Sequence, residues 1–221
     1  MPDLYTTVLP LASFAFVMSI TPGPNNLMLL SSGARFGLRL SLAHLLGVAT
    51  GFLGLLLVCW FGVGAVVMAD PRIGSLLTVV CVLYLCWLGW LLVSDSSESP
   101  ADAPAEQPDA AGRSAAQPMS WFAAFAFQFV NPKAWGMGVT AVSIVRAAPL
   151  SMPAKLAVLL AVCSAVNLPC VALWTVFGAA MRQHLRRPWI RRAFNGAMAL
   201  CVVATALWML WPLLSARGHA G

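Results

Sequence analysis

Acidic side chains are what this chain has least of. Only seven of its 221 residues are Asp or Glu, and five of them, Asp95, Glu98, Asp102, Glu106 and Asp109, crowd into one polar stretch. Asp3 and Asp70 complete the set, so no long apolar segment contains a mid-segment carboxylate. That absence argues against a hard-cation pathway, which is built from oxygen anions. It also removes the carboxylate dyad or His/Asp pair that an intramembrane enzyme would need. The six cysteines, Cys59, Cys81, Cys86, Cys163, Cys170 and Cys201, include no CxxC spacing and avoid the two proline-broken segments described below. They read as small apolar fillers rather than as an exchangeable dithiol or a soft-metal site. No metal site is expected. Charged residues make up 9% of the chain against 60% hydrophobic, a balance that no soluble domain of this length needs.

What is present is hydrophobic length. A hydrocarbon core about 30 Å thick takes roughly 20 apolar residues as helix. Six stretches qualify, at 4–32, 42–68, 73–93, 119–145, 156–181 and 193–214. The expected fold is an all-α integral membrane protein with six transmembrane helices. The first stretch lacks a basic leader and a small-residue cleavage site, so it is read as a retained span. With six spans, the odd-numbered loops hold Arg35, Arg39, Arg113, Arg182, Arg186, Arg187, Arg191 and Arg192, and the other side holds Arg72, Arg146, Lys155 and Arg217. That bias places the odd loops in the cytoplasm and both termini outside. The net charge of +6 is therefore topology and attraction to lipid, not a nucleic-acid footprint.

Residues 94–118 differ from everything around them, with Pro100, Pro104 and Pro108 set among the five clustered acids. Such a stretch cannot bury a core and is expected to be a flexible cytoplasmic linker. It divides the chain into a first three-helix repeat, 1–93, and a second, 119–221. Three spans per half forces the second half to insert upside down, an inverted-topology repeat. Sliding the halves by 110 residues lays Pro22 on Pro132.

Those prolines carry the functional signal. Thr21-Pro22-Gly23-Pro24-Asn25-Asn26 and Asn131-Pro132-Lys133-Ala134-Trp135 interrupt the spans that open the two halves. A bilayer tolerates such breaks in helices 1 and 4 only against protein or a polar cavity, and matching breaks are the mark of a repeat-built secondary transporter. Pro22, Gly23 and Pro24 shape the first break, and Asn25 and Asn26 are placed to cap a helix resuming near Leu27. In the second, Asn131 suits the N-cap and Pro132 the first helical position. Lys133 follows, at a helix start where a cation is unfavourable by about 0.3–1 kcal/mol, added to about 2.5–3.5 kcal/mol for a lysine at mid-bilayer. With no carboxylate in any span to pair with it, two helix N-termini and this ammonium suit the carboxylate of a small substrate. The competing reading has Lys133 snorkel to an interface. Gln128 and Trp135 flank this break, and Asn167 with Pro169 marks a further polar place in the fifth span. The substrate-binding candidates are thus Pro22, Gly23, Pro24, Asn25, Asn26, Gln128, Asn131, Pro132, Lys133, Trp135 and Asn167.

The Thr-Pro-Gly-Pro-Asn run, Gly47 and Gly51, and Phe127-Gln128-Phe129-Val130-Asn131-Pro132-Lys133-Ala134-Trp135 together resemble the lysine exporter (LysE) superfamily, of the homoserine/threonine resistance (RhtB) type. Asn167-x-Pro169, Trp174, Gly178 and Phe194-Asn195 fit the same pattern, so the likeness spans the whole chain. The resemblance implies a bacterial inner-membrane exporter of amino acids or related small metabolites, driven by the proton gradient, without a cofactor. Asn25 stands where some relatives carry an acid, so coupling through a carboxylate there does not carry over. The alternatives are a carrier for another ion, metal cation or organic anion, and a transmembrane thiol redox carrier.

His44 and Lys133 are the candidates for proton coupling. A histidine titrates near neutrality, although His44, close to the cytoplasmic end of its span, would there also meet water or headgroups. Gly47-x-x-x-Gly51 is a small-residue stripe for close helix packing, its neighbour being either the broken first helix or a second subunit of a homo-oligomer. Trp87, Trp90, Trp121, Trp189, Trp208 and Trp211 lie near span ends and read as interfacial belt residues.

Overall fold

The computed structural model describes residues 2–94 and 117–217, and every regular element among them is helical. In chain order these are α1 (Pro2–Ile20), α2 (Pro24–Phe36), α3 (Leu38–Trp60), α4 (Val63–Ala69), α5 (Pro71–Ser94), α6 (Trp121–Phe127), α7 (Pro132–Arg146), α8 (Met152–Met181) and α9 (Pro188–Arg217). Short 3₁₀ turns at Gln128–Val130 and His184–Arg186 precede α7 and α9. Except at its two ends, the stretch expected to be a linker, 94–118, lies outside the described residues.

Among the described residues α3, α8 and α9 are each long and apolar enough to cross a membrane. The pair α1–α2, bent by 55°, adds a fourth if it counts as one span. The apolar runs Arg72–Trp87 and Trp121–Val130 are shorter. The described helices thus give three or four spans by length and composition, where the sequence leads one to expect six. The two expected spans not counted are the third, of which Arg72–Trp87 is the apolar run found among the described residues, and the fourth, which is split into α6, a 3₁₀ turn and α7.

Between helices in a bilayer, apolar burial gains little over lipid, so close backbone approach at small residues carries the association. The closest pairing joins α2 to α8. A Cβ on Gly33 would collide with the Thr175 carbonyl and one on Gly178 with the Leu30 carbonyl, so each helix presents its glycine to the other's backbone. The Gly47/Gly51 stripe of α3 works similarly against α6. A Cβ at Gly51 would lie 2.7 Å from both Phe125 O and Gln128 Cγ, and one at Gly47 would strike the Trp121 carbonyl. The neighbour is therefore a helix of the same chain's other half, neither of the two expected from sequence.

The apolar interior separates into clusters. One gathers Leu11 of α1, Leu55 and Leu56 of α3, Val145 of α7 and Leu159 of α8. Another gathers Leu27 of α2, Leu85 of α5, Phe127 of α6 and Val202 of α9. The α1-to-α2 and α6-to-α7 connections both pass from one cluster to the other. Both polar interruptions consequently fall at the boundary between two apolar bodies, which is where polar backbone can meet polar backbone instead of lipid. Cys59, Cys81, Cys163 and Cys170 are buried and Cys86 and Cys201 exposed, all as free thiols. Trp87, Trp90, Trp121, Trp189 and Trp208 are exposed on the outside of the bundle; the side chain of Trp211 lies outside the described set.

Candidate functional site

Two prolines set the chemistry of the first interruption. In a continuous helix the amide of residue 22 would bond Met18 O and that of residue 24 would bond Ile20 O, but proline has no N–H. The Thr21 hydroxyl takes over at Met18 O (3.1 Å) while also donating to Val17 O at 2.7 Å. Asn26 turns back from α2 and donates from Nδ2 to Ser19 O and Thr21 O, both at 2.8 Å. Helix α2 itself starts at Pro24 behind the extended Gly23, with no side-chain cap. The sequence reading of Asn25 and Asn26 as caps of the resuming helix is therefore corrected. A proline in the first turn leaves one fewer amide to cap, and the unmet groups lie on the other side of the break, at the carbonyl end of α1.

The second interruption is satisfied from within. Asn131 is the N-cap of α7, its side chain accepting from Lys133 N at 3.1 Å. Pro132 cannot serve Gln128 O, and Asn131 N does so instead at 3.4 Å. Phe129 O, whose helical donor is diverted to the cap, receives the Trp135 indole N–H at 3.0 Å. The buried Trp135 thus seals the turn it follows.

The two interruptions meet. Gln128, fully buried, exchanges a reciprocal amide pair with Asn25: Asn25 Nδ2 donates to Gln128 Oε1 at 2.8 Å, and Gln128 Nε2 donates to Asn25 Oδ1 at 3.1 Å. The second Gln128 amide hydrogen goes to Ala124 O (3.1 Å). Lys133 reaches from α7 to the end of α1, where Nζ donates to Thr21 O (3.0 Å), Thr21 Oγ1 (3.2 Å) and Pro22 O (3.4 Å). The ammonium that the sequence left without a partner finds acceptors after all. They are the carbonyls at the negative end of α1's dipole rather than a carboxylate. Gly23 makes room for the crossing, since a Cβ there would sit 3.0 Å from Lys133 Cδ and Nζ.

Beneath this junction lies a cavity of about 30 Å³, bordered by Ser19, Asn25, Asn26, Gln128, Lys133 and Asn167 among others. It has room for one or two waters, so anything the size of an amino acid enters only when the walls part. Asn167 lies in α8, donates from Nδ2 to Ser19 Oγ at 3.0 Å, and leaves a buried Oδ1 without a partner. Thr21 and Ser19 were missed as site residues by sequence reasoning. The available signal was a hydroxyl directly before a proline, the local device for covering a carbonyl that the proline orphans.

His44 stands apart from this cluster. It is 2% exposed, on the buried face of α3, with neither ring nitrogen hydrogen-bonded. The reading in which it meets water or headgroups is corrected: α3 packs against α2, α6, α7 and α8, and His44 is buried within the bundle. Ser41, one turn earlier, pairs its hydroxyl with Ser32 Oγ across α2 and α3 at 2.8 Å. Among the described residues no cluster of His, Cys, Asp and Glu could hold a metal ion.

The profile of the LysE type translocators matches residues 16–211, which takes in both interruptions and every residue of the junction. Curated relatives include the cysteine/O-acetylserine efflux proteins of Escherichia coli K12, Escherichia coli HS and Shigella flexneri serotype 5b. Each is 31% identical over 198 residues, covering 88% of this chain and 93% of the relative. No solved structure matches significantly. On this extent of match the chain belongs to the LysE type translocator family, whose members carry solutes rather than transform them.

Proposed function

We propose that the protein exports small zwitterionic metabolites, amino acids and their close derivatives, across the bacterial inner membrane by alternating access. One observation carries this reading: the two interruptions face each other at the boundary of two apolar bodies, with Lys133 and the Asn25–Gln128 pair spanning between them. The kinship with proteins named as cysteine and O-acetylserine exporters supports cargo of that size and charge. Asn25, Asn26, Gln128, Asn131, Lys133 and Asn167 form the binding region, with Pro22, Gly23, Pro24, Pro132 and Trp135 shaping it.

In this reading the halves 1–93 and 119–221 are inverted three-helix repeats, joined by a cytoplasmic linker with both termini outside. The two apolar bodies, each drawing helices from both halves, rock about the junction. Protons entering the cell drive cargo outward. His44, buried and without hydrogen-bond partners, and Lys133 are the groups proposed to carry them.

Efflux tests the reading directly. Cells with and without the protein are loaded with amino acids as dipeptides, and the medium is followed by mass spectrometry. Faster appearance of cysteine, O-acetylserine or other amino acids is expected, and Lys133→Ala should abolish it while the protein still inserts at normal levels. An unchanged export rate in Lys133→Ala would remove Lys133 from the site.

A further inference from the structure

A lysine ammonium has three hydrogens to donate, and Lys133 directs them at three acceptors on the end of α1: Thr21 O, Thr21 Oγ1 and Pro22 O. Held this way it has no hydrogen left for the carboxylate of a cargo. To take one it must leave the α1 ledge, and the ledge then faces the junction as carbonyls lacking their cation. Asn26 Nδ2 reaches Thr21 O, but Pro22 O would have no protein donor in its place. A second observation points the same way. Asn167 Oδ1, in a side chain 92% buried on the border of the cavity that Lys133 also lines, is already an acceptor without a donor. The junction holds more acceptors than cations.

We infer that Lys133 is a tethered stand-in for the cargo's own ammonium, seated on the Thr21–Pro22 ledge when the carrier is empty and displaced from it when cargo binds. The cargo's ammonium takes the ledge, with Asn167 Oδ1 as a further acceptor on the cavity that Lys133 borders, and the freed Lys133 pairs with the cargo's carboxylate. Gly23 leaves the lysine stem its room, since a Cβ there would crowd Lys133 Cδ and Nζ at 3.0 Å. Neither half of a zwitterion is sufficient alone. An anion cannot replace Lys133 on the ledge, and a simple amine can displace it only by leaving it with no anion. This rests on the exporter reading above and adds to it the seat of each charged end.

The test uses three probes that differ in which charged end is masked: L-cysteine, N-acetyl-L-cysteine, whose ammonium is masked, and L-cysteine methyl ester, whose carboxylate is masked. Efflux is measured from proteoliposomes containing the full chain, and binding from protection against thermal unfolding in nanodiscs. The wild type should move and bind cysteine at least about tenfold better than either masked form, as a site loses an analogue that leaves its polar groups unpaired. In Lys133→Ala the ledge is vacant and the anion partner gone. The order in the binding assay should therefore invert, with the methyl ester overtaking cysteine. Lys133→Met should do the same if the alanine variant proves unstable. A purely structural lysine would weaken all three probes alike. Cysteine and N-acetylcysteine moved equally well, or an ester-to-cysteine ratio unchanged by both substitutions, overturns the exchange while leaving the exporter reading intact. No efflux of cysteine or any other amino acid overturns both.

Discussion

The two interruptions look alike in sequence and are opposites in structure. The second is self-sufficient: Asn131 caps α7, and Trp135 covers the carbonyl that the cap strands. The first depends on outside help, because two prolines two residues apart in the chain remove donors faster than neighbouring residues can replace them. Its carbonyls are met by Asn26 from the next helix and by Lys133 from the other half of the chain. The difference teaches that one break is a rigid fitting and the other an exposed acceptor edge, so the rigid one is suited to present a cation to the open one. The same solution recurs away from the junction. Arg146 Nη2 donates to Trp60 O at the end of α3, and Lys155 Nζ to Arg146 O at the end of α7. In a chain so poor in acid, helix C-termini serve as the counter-charges.

Removing the asparagine side chain that serves each break should expose that asymmetry. Asn26→Leu strips the buried Ser19 carbonyl of its side-chain partner and leaves Thr21 O with Lys133 alone, and should lower stability by about 1–3 kcal/mol, the range for a stranded buried acceptor. Asn131→Ala removes one cap bond and should cost about 1 kcal/mol. Unfolding both in the same detergent against the wild type ranks them, and an equal or reversed order would mean that the first break is as self-contained as the second. A smaller effect is expected where the breaks join. A double-mutant cycle on Asn25→Ala and Gln128→Ala should return a coupling of about 0.6–1.7 kcal/mol, as for interhelical hydrogen bonds in membranes. A coupling of zero would show that the amide pair does not tie the halves together. Least of all should follow from Cys201→Ser, an exposed position on α9 remote from both breaks, which should shift neither efflux nor stability by more than about 0.5 kcal/mol.

How much of this was legible beforehand varies by residue. The place of each break could be read from proline alone, since a missing N–H is a property of the residue and not of its surroundings. Asn131 as N-cap could be read too, because a cap bonds three residues or fewer along the chain. Asn26 could not: the sequence shows an amide after a proline run, and only the 55° bend decides that it reaches back rather than forward. The Gly47–Gly51 stripe announced a close neighbour without naming α6, and the matching approach of Gly33 and Gly178 had no signal beyond glycine itself. His44 was placed at a span end by counting residues, whereas its burial depends on which helices cover that face.

Composition, hydropathy and the two proline motifs determined by themselves that this is a helical chain of the membrane, with two polar interruptions, a cation at one of them and no acid to pair with it. Those are local properties, fixed by what each residue carries and by its near neighbours. Only the tertiary structure decided that the cation faces the carbonyl end of α1, that Asn25 and Gln128 join across 103 residues of chain, and that Asn167, with a buried side-chain oxygen left unmet, borders the cavity beside them. The reason is physical: a carbonyl orphaned by proline accepts from any donor that reaches it, and which donor does so is set by how the helices pack.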